Sequence, residues 1–257
     1  MEGRARRIRQ PRVAEIVASK LREDILSGRL REGDILPTQE SLFQEFGVSP
    51  PALREAIHLL ETDGLISVRR GNVGGAVVQM PSADRTAHMI GMVLQTRSAT
   101  PADVSEALLH LEPICAGMCA ARADRATEVV PYLQDEIDRQ AAQYDDMSQY
   151  VPNARRFHEA LVSRCGNEPM ILLIGSLELI WSTHESGVWT GEGEAGMSAS
   201  TMRAALRDHQ RLVDAIADGN TARAGKLAAD HLTAARRTTL AAGDGKTIEA
   251  RLISHDR

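Results

Sequence analysis

Three of the eight histidines in this 257-residue chain stand where helical periodicity would carry them toward an apolar interior. His158 follows Phe157, with Leu161 and Val162 one turn on. His209 precedes Leu212, Val213 and Ile216, and His231 lies beside Leu232, 22 residues after His209. Asp218-Gly219-Asn220 reads as a turn between two helices, so an antiparallel return would bring His209 and His231 together. A lone histidine of this kind is usually a satisfied core residue. Three imidazoles converging in an apolar bundle instead suit Zn²⁺ or a similar borderline divalent ion. Such a site with an open position can activate water. The acid beside it, Glu159, would point about 100° away from His158 on a helix, which weighs against hydrolysis.

A second group of residues suits DNA. Arg54 lies in the first turns of a short amphipathic segment opened by Ser49 and Pro50, and a guanidinium there can pair bidentately with guanine O6 and N7. Ser49, short and polar at a helix start, suits a phosphate, and Thr38 opens the helix before it. Arg69 and Arg70 precede Gly71, where a bare backbone can approach a groove closely. Further arginines (Arg4, Arg6, Arg7, Arg9 and Arg12) fill the N-terminal dozen residues, either as a DNA-contacting arm or as a solvated tail.

The elements needed to place these groups are legible. Val13, Ile16, Val17, Leu21 and Ile25 recur at helical spacing up to Gly28. A short helix carries Leu42, Phe43 and Phe46 to Gly47, and a second, capped by Ser49, carries Leu53, Ile57 and Leu60 to Asp63-Gly64. Ile66–Arg69 and Ala76–Val78 then form a hairpin around a glycine-rich tip. This is a winged helix-turn-helix, which lays its second short helix in the major groove. The rest reads as helices over roughly 84–97, 101–122, 126–143, 148–164, 168–184, 199–217 and 220–241. The fold class is therefore mainly α: three helices plus a β-hairpin wing, then an all-α bundle of six or seven helices. Residues 1–12 read as a basic arm, 13–80 as the winged helix, 81–83 as a linker, 84–241 as the bundle and 242–257 as a polar tail. Gly187–Ala199 reads as one long loop, either a lid or disordered.

Composition sets the bounds. The net charge of −5 argues against nucleic-acid binding by the whole surface. Residues 1–81 hold 12 basic against 11 acidic groups, and the remainder 18 against 24. With no apolar run long enough to span a bilayer and no apolar signal core after the basic start, a membrane or exported location is not expected. Cys115, Cys119 and Cys165 lack metal-ribbon spacing and fit a reduced cytoplasm, with Cys115 and Cys119 as core fillers rather than a redox pair.

The N-terminal third resembles the GntR family of bacterial transcription regulators. The residues that carry the likeness are Gly28, Gly33, Leu36-Pro37, Phe46-Gly47-Val48-Ser49, Leu53-Arg54-Glu55-Ala56, Leu60, Gly64-Leu65-Ile66 and Arg70-Gly71. Leu111-Glu112-Pro113, Ala120-Ala121-Arg122, Phe157-His158, His209 and His231 resemble the FadR-type ligand-binding (FCD) domain. The resemblance implies a dimer on a pseudo-palindromic double-stranded operator, most often as a repressor, controlled by a small-molecule effector that is often a carboxylate. It also implies a divalent metal held by three histidines and an aspartate. Four departures qualify it. Pro50 and Glu40 stand where relatives often carry arginine, so the operator is not transferable. Ala154 stands at the usual aspartate position, leaving Asn153, water or effector as the fourth ligand, with His184 a remoter candidate. Leu108-Leu109-His110 stands where an effector-clamping arginine is common, which shifts expectation toward a metal-bridged or larger, more apolar effector. Alternative roles are a sensor of the ion itself and, further off, a metal-dependent hydrolase.

Overall fold

Two alanines, not the larger aliphatics beside them, form much of the inner face of α1 (Val13–Leu26). Ala14, Val17, Ala18, Leu21 and Ile25 are buried, whereas Val13 and Ile16 point outward. Small side chains at Ala14 and Ala18 suit close packing on α3 (Pro50–Thr62), whose own buried stripe is Leu53, Ala56 and Leu60. Between them α2 (Gln39–Phe46) is capped by Thr38, whose hydroxyl accepts from Ser41 N, and is stopped by Gly47 at φ +62°. Ser49 occupies the N-cap position of α3, but its hydroxyl makes no capping bond; with Pro50 and Pro51 leading the helix, two of the usual free amides are absent. The wing pairs β1 (Ile66–Arg69) with β2 (Gly75–Val78), antiparallel from Ile66↔Val78 to Arg69↔Gly75, and Ile35 bridges to Val77. The structure, a computed structural model, describes residues 12–69, 75–143, 147–189, 198–242 and 247–248. Arg70, Gly71 and most of the expected 187–199 loop lie outside them.

The chain divides into two compact units, Met1–Ser82 and Ala83–Arg257. The second is a helical bundle threaded by α5 (Pro101–Ala121). A Thr100–Asp103 capping box opens α5, and it packs on five other helices of the unit. Around it lie α4 (Ala83–Thr96), α6 (Arg125–Glu128), α7 (Val130–Ala142), α8 (Met147–Ser163), α9 (Glu168–Trp189), α10 (Ala199–Ala217) and α11 (Thr221–Ala242). Of these, α6 and α8 to α11 pack on α5. Its most extensive partner is α11, and there glycine allows a close approach: a Cβ at Gly225 would meet the Pro113 carbonyl at 3.2 Å, a tight contact.

Three boundaries differ from expectation. The helix expected over 126–143 is broken into α6 and α7, because Pro131 in the first turn of α7 has no N–H to continue the ladder. α9 runs to Trp189, taking in Gly187, instead of stopping near 184. Ile248, within the stretch read as a polar tail, is buried in the core and its N–H donates to Ala99 O at 3.0 Å. The turn between α10 and α11 is as read: Gly219 has φ +70° and Asn220 N donates back to Ala215 O.

Candidate functional site

α8, α10 and α11 each contribute one histidine to a single point in the second unit. His209 Nε2 lies 3.1 Å from His231 Nε2, which lies 3.3 Å from His158 Nε2. His209 and His231 are buried and His158 is nearly so. A tetrahedral Zn²⁺ with bonds of 2.0–2.1 Å separates its nitrogen ligands by about 3.3 Å. Two sides of the triangle match that spacing and all three ligand atoms lie within 4.8 Å of one another, and among the described residues it is the one such cluster of potential ligands.

Two of the outward-facing nitrogens are hydrogen-bonded by oxygens, and the third faces a more distant carboxylate. Glu112 Oε1 of α5 is 2.7 Å from His158 Nδ1, Gln140 Oε1 of α7 is 3.0 Å from His209 Nδ1, and Asp208 Oδ2 lies 3.9 Å from His231 Nδ1. An acceptor at Nδ1 places the proton there and leaves the Nε2 lone pair for a metal. His209 is also clamped by Phe157, whose ring stacks on it at 4.0 Å between centroids. Burial, followed by the neighbouring imidazoles, pushes the His209 pKa well below its ordinary value. Burial lowers His231 too, although Asp208 opposes it. Both rings are thereby kept neutral, as ligands must be.

A carboxyl-rich wall lies behind His158. Burial raises Glu112 to about 7 and raises its neighbour Glu178 well above the usual range, with the proximity of Glu112 adding to the latter. Taking both carboxyls out of water favours their neutral forms. Beside them a narrow, partly open pocket reaches His158 and is lined by Arg155, Glu178, Trp181, Glu185 and Arg236. Arg236 Nε donates to Ser105 Oγ at 3.0 Å, and Arg155 pairs with Glu159. A second pocket, also partly open, reaches His231 and includes Asp208, Thr201, Thr238 and Thr239. Glu185 borders both and hydrogen-bonds with Thr239 Oγ1 at 3.2 Å.

The three histidines read from sequence are thus brought together. Asn153 is buried on the Phe157 side of α8, and its amide donates to Gln143 Oε1. His184 packs against Trp181, outside the triad. Gln140, Asp208, Glu178, Arg155 and Arg236 went unread. Their partners lie 23 to more than 130 residues away, except for Arg155, which pairs within its own helix. The arginine missing before Leu111 is matched in kind by two cations from α8 and α11. The cysteines are buried, and burial pushes Cys119 to about 12 and Cys115 higher, in keeping with core fillers.

In the first unit the outer face of α3 presents Pro51, Arg54, Glu55 and His58 to solvent, while Leu53, Ala56 and Leu60 face inward. Glu55 pairs with Arg12 at 3.4 Å, and Arg54 has no ion-pair partner among the described residues. Thr38 Oγ1 is engaged by Ser41. Arg69 ends β1.

Comparison with known proteins agrees with both units. Residues 13–77 match the model of the bacterial regulatory proteins of the gntR family, and residues 103–234, half of the chain, match the FCD domain. The Uxu operon regulator of Haemophilus influenzae is 26% identical over 219 residues, covering 84% of this chain and 77% of that protein. The transcriptional repressor NanR of Klebsiella aerogenes is 26% identical over 169 residues, 64% of this chain and 63% of NanR. The solved structure of a Streptococcus agalactiae GntR protein superposes with a TM-score of 0.69 at 22% identity, covering 88% of this chain and 99% of that one. No described helix is long and apolar enough to cross a membrane. A winged helix-turn-helix followed by an FCD bundle makes this chain a member of the GntR family of DNA-binding transcription regulators.

Proposed function

We propose that this regulator is a cytoplasmic repressor that binds a pseudo-palindromic operator as a homodimer and is released by a small anionic metabolite. A divalent ion, zinc, is held by His158, His209 and His231. The observation that carries this reading is the pair of Nε2 separations, 3.1 and 3.3 Å, beside a cavity with two guanidiniums. With the Asn153 amide engaged by Gln143, the fourth position goes to water or to an oxygen of the effector. Arg155 and Arg236 favour an anion, so a small carboxylate regains the standing that the missing arginine took from it. DNA is read by Arg54, with Ser49, Thr38, Arg69, Arg70 and Gly71 positioning the backbone. The naming of the Klebsiella relative as a repressor supports the sign of regulation.

No catalytic turnover is proposed: Glu159, the nearest acid in sequence, is paired with Arg155. A second reading, in which the ion itself is the signal, draws on the convergence of the three histidines and the outer acceptors that orient two of them. Native mass spectrometry with elemental analysis, followed by gel shifts on a selected operator, tests both. One ion per chain, dimer mass and DNA release by a metabolite support the first reading. Zinc alone changing DNA affinity favours the second, and a metal-free protein after zinc exposure refutes both.

A further inference from the structure

We propose that Gln140 is the positioning residue that decides whether His209 can accept a metal. The inference rests on the three-histidine reading and adds an outer residue that sets its strength. Gln140 is fully buried on α7, its Oε1 stands 3.0 Å from His209 Nδ1, and its Nε2 has no hydrogen-bond partner. In this orientation the amide oxygen accepts the Nδ1 proton and leaves His209 Nε2 bare, 3.1 Å from His231 Nε2. The outer partners of the other two histidines are carboxylates, Glu112 and Asp208.

Asp208, whose pKa is held below the usual carboxylate range by its His231 and Arg211 neighbours, can only accept when ionised and so supports the metal-ready tautomer alone. An amide can turn over. With its NH₂ toward Nδ1, that nitrogen becomes the acceptor, the proton moves to Nε2, and the ring can no longer ligate. The reversed amide also removes the unpartnered donor of the observed orientation. Phe157 stacked on His209 holds the ring plane, so the choice between tautomers falls to Gln140 and not to a ring rotation. A neutral residue here also leaves the ion with less compensating charge than a third carboxylate would give, in a site where Asn153 and Ala154 already supply none. Gln140 thus makes the centre loadable but exchangeable.

The test uses the full chain, Gln140→Met and Gln140→Glu, with Zn²⁺ and Co²⁺ titrated against a chromophoric chelator. Long-range ¹H–¹⁵N spectra of the histidine rings of each metal-free protein are recorded alongside. Gln140→Met should bind at least about tenfold more weakly, within the range usual for lost outer partners, and should show His209 protonated at Nε2. Gln140→Glu should bind more tightly than wild type with His209 protonated at Nδ1, a rescue that mere packing damage would not give. Equal affinity and unchanged ring spectra in Gln140→Met overturn the proposal. Should that variant unfold, Gln140→Glu decides it, and affinity at or below wild type overturns it. If the wild type takes up neither ion, the metal reading itself fails. The ring spectra then decide the role of Gln140: loss of the Nδ1 proton in Gln140→Met upholds it, and no change overturns it.

Discussion

Arg54→Ala offers the sharpest test of how the first unit reads DNA. Arg54 is exposed on α3 with no ion-pair partner among the described residues, so its removal should change folding stability by no more than about 0.5 kcal/mol. A bidentate contact to guanine contributes about 1–3 kcal/mol of discrimination. A two-fold complex makes the contact twice, so the loss should be about 2–6 kcal/mol, or between about 30-fold and about 10⁴-fold in affinity. The operator would first be selected from a random duplex pool, and affinities then measured by gel shift across a salt series. Base readout predicts loss on the selected site with little change on random DNA and an unchanged salt slope. Were Arg54 a phosphate contact instead, the slope would fall by about two across the dimer and random DNA would weaken equally. Unchanged affinity for the selected site at matched salt would refute the assignment of α3 as the reading helix through Arg54.

Other expectations follow from the second unit. Phe157→Ala should cost about 3–5 kcal/mol in chemical denaturation, since the ring is fully buried, and should weaken zinc uptake because it backs His209. For Glu178, burial raises the folded pKa above the ordinary carboxylate value of 4.5. The folded state therefore binds the extra proton, and this contribution to stability is complete below 4.5 and lost as pH rises toward the folded pKa. Glu178→Gln, neutral throughout, should flatten that decline in melting temperature on the alkaline side, and an unchanged profile would count against a carboxyl protonated by its burial. Cys115, Cys119 and Cys165 should resist a thiol reagent in the folded chain and react together only on unfolding, because all three are buried and burial pushes the first two thiols upward. Rapid labelling of the native protein would contradict that packing.

The parts of this protein that sequence revealed are those governed by local rules. Gly47 and Gly219 announce themselves because only a left-handed backbone ends those helices as they end, and the structure gives both positive φ. The hairpin between Ile66 and Val78 follows from β-branched residues around glycines. Helix faces were less secure. Val13 and Ile16 belong to the apolar period of α1, yet the buried face runs through Ala14 and Ala18, because a close helix partner selects small side chains over hydrophobic ones. Pro131 shows a related limit: a proline in an apolar-periodic run can sit in a first turn, and one expected helix became two.

The site divides along the same line. Its inner histidines lie on apolar faces and could be found by period, whereas its outer oxygens could not. Gln140 resembles any polar residue of an amphipathic helix, and only the fold places it 3.0 Å from a ring 69 residues away. Asp208 adjoins His209 in sequence but serves His231, because neighbours on a helix point about 100° apart. The cavity makes the same point for charge. The chain lacks an arginine before Leu111, and reading along one helix alone would call the effector site apolar. Arg155 and Arg236 come from two other helices and, with Glu178 and Glu185, make its lining polar. A function assigned by matching positions along a chain can therefore miss chemistry that the bundle supplies from elsewhere. Replacing both arginines with Met should abolish effector release of DNA while leaving zinc uptake intact, and loss of zinc uptake as well would show that their role is to support the metal centre instead.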